Sequence, residues 1–169
     1  LKRVIMLENF KEMKLGMKFV FMYYVLASVF ALMGTATAMA YLEPRLLTGF
    51  VQGMPAIAIN ILVFGIWTIL AYGIYSAKKW AEKGVLAWNA YGILFSLINL
   101  VMVITIPDSL LNTVPADMKA ELLAGATAAE SAMILEFMKY SVIASDIIII
   151  LISGSILYYI LKNKYYFRN

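Results

Sequence analysis

The sequence predicts an all-α membrane protein, a four-helix transmembrane bundle with both termini in the cytoplasm. Three observations carry this. Of 169 residues, 63% are hydrophobic and only 14% charged, against about 25% charged in an average soluble domain. Four segments have the roughly 20 apolar residues that a helix needs to cross a hydrocarbon core about 30 Å thick. The basic residues gather on alternate connections, which fixes orientation.

The first span covers about 19–41, from Phe19 to Tyr41, and Glu43 and Pro44 end it. A basic leader, an apolar run and Ala36-Thr37-Ala38 share the layout of a secretory signal. The run is of full spanning length, so it is read as a retained helix. The second span covers about 53–76, with Pro55 in its first turn, where a missing N–H breaks no helix bond. Lys78, Lys79, Glu82 and Lys83 form the turn to the third span, about 85–106, which Pro107 and Asp108 close. The fourth span covers about 141–161 and stops at Lys162, Lys164 and Arg168. No segment alternates as a transmembrane β-strand would.

With four spans, the N-terminal tail, the second-to-third turn and the C-terminal tail share one side. Eleven of the 14 basic residues lie there. Arg45, Lys119 and Lys139 remain on the other side, together with Glu43, Asp108, Asp117, Glu121, Glu130 and Glu136. The positive-inside rule makes the basic side cytoplasmic, in a multi-pass protein of the cell membrane. Heavy use of Ile, Met, Lys and Tyr suits an AT-rich or thermophilic prokaryote.

Residues 1–16 form an amphipathic pattern that runs into the first span, with Val4, Met6, Leu7, Phe10, Met13 and Met17 opposite Glu8, Lys11, Glu12 and Lys18. This predicts an N-terminal interfacial helix, its lysines toward anionic headgroups. Residues 107–140 form the sizeable connection, an extracytoplasmic helical cap between spans three and four. Pro115 to Ala124 reads as a short helix stopped by Gly125, with Met118 and Leu122 on one face. Thr127 and Glu130 match a capping box, which starts the fourth helix near Ala128. That helix would outrun the bilayer core and project from it, unless it breaks near Tyr140.

Polar residues at depth are the informative ones. Thr35, Asn60, Asn99 and Asp146, one per span, fall about 5–8 Å outward of their span midpoints at 1.5 Å per residue. They form a candidate intramembrane polar site. Asp146 is the clear intramembrane acid, to be accommodated by protonation or by hydrogen bonds from Asn60, Asn99 or Thr35. Glu136 and Lys139 continue its helix face as a candidate outer charged stripe, with Ser153 on the deeper side. Small residues at Ala27, Ala31, Gly34, Ala38, Gly65, Gly73 and Ser153-Gly154-Ser155 suit close helix contacts within the bundle. Tyr72, Tyr75, Trp80, Trp88, Tyr91, Tyr158, Tyr159, Tyr165 and Tyr166 form an aromatic belt at the basic interface.

Composition excludes several chemistries. With no cysteine and no histidine, there is no disulfide, thiolate nucleophile, His-ligated metal or haem, and no Ser-His-Asp triad. P-loop, GxGxxG and HExxH motifs are absent. No catalytic residue, cofactor or metal is expected. Anionic lipid explains the basic face without nucleic acid. The expected partners are the lipid bilayer and other integral membrane subunits. The predicted role is a non-catalytic subunit packing laterally within a larger membrane protein complex. The alternative is a small oligomeric transporter or channel with a polar site at Asp146, Asn60 and Asn99. A lipid-modifying enzyme using Glu136, Lys139 or Asp146 ranks third.

Overall fold

The computed structural model describes residues 10–41, 44–115, 119–120 and 127–167. Four helices are long and apolar enough to cross a membrane. They are α1 (Leu15–Thr37), α3 (Met54–Tyr75), α4 (Lys79–Thr105) and α5 (Ala128–Lys162). A short ribbon separates α1 from α3: strand β1 (Met39–Tyr41), the one-turn helix α2 (Arg45–Thr48) and strand β2 (Phe50–Gln52). A 3-10 segment, Pro107–Thr113, follows α4.

The first helix ends a turn earlier than the apolar run. Thr37 is its last residue, and Ala38 takes a left-handed conformation, φ 50°. From there the chain turns into a two-stranded antiparallel ladder with Met39 opposite Gln52, Ala40 opposite Val51 and Tyr41 opposite Phe50. Hydropathy cannot see this ending, because Met39, Ala40 and Tyr41 are as apolar as the helix before them. Gly49 and Gly53 turn the ribbon at φ 81° and 71°, values that only glycine adopts without strain. Pro55 sits in the first turn of α3 as its chemistry requires.

Helix α4 begins at Lys79, well before the apolar run, since Lys79, Glu82 and Lys83 are good helix formers. The Thr127–Glu130 capping box forms: the Glu130 N–H donates to Thr127 Oγ1 at 3.4 Å, and the Thr127 N–H donates to Glu130 Oε2 at 2.8 Å. From that cap α5 runs unbroken through Tyr140 for 35 residues, about 52 Å. It therefore exceeds a core of about 30 Å. The short helix expected over 115–124 falls largely outside the described residues, as do residues 1–9 of the expected interfacial helix. Residues 10–12 are helical and break before α1. Phe10 packs edge-on against Phe21 at 5.9 Å, and Met13 is buried. This part of the apolar side thus turns into the bundle.

The helices pack as two pairs, α1 with α3 and α4 with α5, with lighter contact between α3 and α4. The main core fills the end carrying the α3–α4 turn, around Met17, Tyr24, Ile74, Val85 and Ile160. Gly73 makes that turn tight: a Cβ there would lie 2.5 Å from the Ala81 Cβ. A second, smaller core of Leu46, Val103, Leu110 and Val142 lies at the opposite end, beneath the ribbon. Gly65 and Gly154, expected at helix contacts, would meet nothing within 4 Å. Only 22% of the most apolar window of each span is buried, so lipid or other chains must cover the rest.

Candidate functional site

The buried face of α4 carries Val85, Asn89, Ser96, Asn99 and Val103 at helical spacing. Across from it α5 buries Val142, Asp146, Ser153 and Ile156. The two faces approach closely where Gly92 meets Ser153, a Cβ on Gly92 being 3.4 Å from Ser153 Oγ. Asn99 and Asp146 are both fully buried. Each lies about 24 Å along its helix from a basic marker, Lys83 for Asn99 and Lys162 for Asp146. Both are therefore within a core about 30 Å thick counted from the basic end.

The partner of Asp146 is Arg45. The guanidinium Nη2 stands 3.2 Å from Asp146 Oδ1 and also donates to Ser145 Oγ. Sequence reasoning assigned Arg45 to the far-side connection and offered Asn60, Asn99 or Thr35 as partners for the acid. The structure instead brings Arg45 in on the ribbon. The signal was present: Arg45 is the one basic residue between Lys18 and Lys78, and Asp146 is the one acid after Glu136. Two lone charges of opposite sign in apolar surroundings stabilise each other.

The next residue, Leu46, is completely buried. Its backbone N–H donates to Asn99 Oδ1 at 3.3 Å, and its carbonyl accepts from Asn112 Nδ2 at 2.9 Å. Asn60 Nδ2 donates to the Met39 carbonyl at 2.8 Å, beside Gly34. Tyr41 donates to the Thr113 carbonyl at 3.2 Å. Thr35 Oγ1 donates to the carbonyl of Leu32 in its own helix.

These bonds share one purpose. Irregular backbone at membrane depth must be satisfied by protein, because lipid offers it no partner. Asn60, Asn99 and Asp146 each reach a different point of the ribbon: β1, the backbone of α2 and the side chain of α2. The expected polar layer is the socket of the ribbon. Thr35 stands outside it, on the helix that leads into β1. Glu136 is exposed and accepts from Tyr140 at 3.4 Å, one turn on. Lys139, half-buried, belongs with Glu136 to the projecting part of α5.

A small cavity of about 210 Å³ opens beside the ion pair, lined by Tyr41, Arg45, Thr113, Met138, Ser141 and Val142. A second buried polar contact lies nearer the basic end: Asn89 Nδ2 donates to the Tyr24 hydroxyl at 2.7 Å and to the Val85 carbonyl at 2.8 Å. Among the described residues no three His, Cys, Asp or Glu side chains cluster to hold a metal. No protein-family profile, curated protein or solved structure matches the chain. What stands is a multi-pass, mostly helical membrane protein with an anchored ribbon at one end.

Proposed function

We propose that the protein is a non-catalytic integral membrane subunit that packs laterally within a larger membrane protein complex. The observation that carries this reading is the engagement of Asp146 with Arg45. The charge that could have served transport or catalysis instead holds the chain's own ribbon. The largely uncovered spans supply the lateral surface. The basic end faces the cytoplasm, by the excess of basic residues there, and the ribbon faces outward in the cell membrane. There the ribbon and the projecting part of α5 offer a small surface to a neighbouring subunit.

The transporter reading has one observation in its favour, the cavity beside Arg45. Against it, Asn60 and Asn99 are both engaged with ribbon backbone. Gentle extraction of the native membrane followed by native mass spectrometry separates the two. The subunit reading expects a stoichiometric assembly with at least one different integral membrane chain. A homo-oligomer alone, carrying solute flux in proteoliposomes, would establish the alternative.

A further inference from the structure

Between α1 and α5, which are not closely packed, an apolar groove of about 440 Å³ opens sideways toward the bilayer. Its walls are Phe19, Val20 and Tyr23 on α1 and Leu151, Ile152 and Ile156 on α5. At the basic end the two helices approach, and Gly16 and Tyr159 complete the groove's lining. Tyr159 lies across Gly16, where any Cβ would fall 2.3 Å from the ring. Just beyond, Lys14 Nζ reaches Asn163 Oδ1 at 3.5 Å, joining the start of α1 to the end of α5. Lys162 and Lys164 flank Asn163, whereas Lys18 turns away, its Nζ donating to the Lys11 carbonyl at 3.3 Å and lying over the Phe10 ring. Glu12 is the acid close by in sequence. An apolar slot thus ends in a cationic mouth at the level where phosphates sit.

We propose that this groove holds one acyl chain of an anionic phospholipid whose phosphate is drawn to Lys14, Lys162 and Lys164. The charge of the mouth and the apolar shape of the slot together match such a lipid. A basic pocket between transmembrane helices is suited to anionic headgroups. A purely apolar slot would select no headgroup. A partner helix filling the slot would match these three lysines only through a C-terminal or acidic end, whereas an anionic lipid presents its phosphate there by construction. The occupant is a lipid whether or not other subunits surround the protein, so the site is independent of the proposed function.

Native mass spectrometry of the full chain in neutral detergent, titrated with dioleoyl phosphatidylglycerol or dioleoyl phosphatidylcholine, tests the site. One phosphatidylglycerol should bind at least about fivefold more tightly than phosphatidylcholine. Ser155→Trp places a ring in the groove from an exposed position and should abolish retention of both lipids. Lys14→Gln combined with Lys162→Gln, two exposed residues, should remove the headgroup preference and leave the chain's weak hold. Equal affinity for the two lipids in the unaltered protein would overturn the proposal. So would unchanged retention in Ser155→Trp, or Ser155→Trp splitting a dimer or heteromer while lipid stays bound.

Discussion

Replacing Arg45 with alanine is expected to destabilise the protein by about 3–5 kcal/mol, the cost of stripping the partner from a buried charge. Thermal unfolding in detergent, followed by circular dichroism, would read this as a large fall in the midpoint. The effect should be lopsided. The Arg45 side chain keeps 19% of its surface, while that of Asp146 keeps 1%. An orphaned Arg45 can turn toward the adjoining cavity, whereas an orphaned Asp146 is sealed between α4 and α5. Asp146→Ala should therefore cost less than Arg45→Ala. The pair Arg45→Met with Asp146→Leu should recover stability to within about 1 kcal/mol of the unaltered chain, because apolar isosteres avoid the desolvation of both ions. Equal losses from the two single variants would deny that Asp146 is the sealed partner.

The second large effect is expected at Leu46. Its side chain is completely buried among Val103, Leu110 and Val142. Leu46→Ala should cost about 2–5 kcal/mol, the range for a buried leucine whose site cannot collapse. The next residue is the control. Leu47 is 65% exposed, and Leu47→Ala should change stability by less than about 0.5 kcal/mol. The contrast over one peptide bond isolates docking of α2 from its helical propensity, which both substitutions change in the same sense.

The membrane-spanning architecture was legible because its signals are strong and local. Uncharged runs set the four spans, and a hydroxyl three residues before a carboxylate set the start of α5 at Ala128. Prolines and charges marked other ends: α3 starts around Pro55, and α4 stops before Pro107. The ribbon was illegible because its residues are apolar and short, and because pairing Met39 with Gln52 is a non-local event. No period-two pattern can show in three residues. The candidate site was half legible. Asn60, Asn99 and Asp146 were singled out by depth, since polar atoms in a span need a reason. Their role was hidden, because the groups they serve are backbone atoms of Met39 and Leu46 and a cation counted as a loop charge. Asn112 and Ser145 gave no signal at all, one lying in a polar connection and the other being an unremarkable hydroxyl beside Asp146. Charge economy would have found Arg45.

The central claim is that the polar side chains of α3, α4 and α5 seat the ribbon in the bundle rather than line a path through it. The chain contains no cysteine, so a single introduced thiol reports without interference. The direct measurement is the rate at which N-ethylmaleimide modifies Leu46→Cys and Leu47→Cys in the folded protein. A thiol reacts only when it is reachable and ionised. Leu46→Cys should react about tenfold or more slowly than Leu47→Cys, limited by local opening of the ribbon. Adding Asn99→Ala or Arg45→Ala should speed the Leu46→Cys reaction and leave Leu47→Cys unchanged. Equal rates at the two positions, or a slow Leu46→Cys rate indifferent to both added substitutions, would contradict the account.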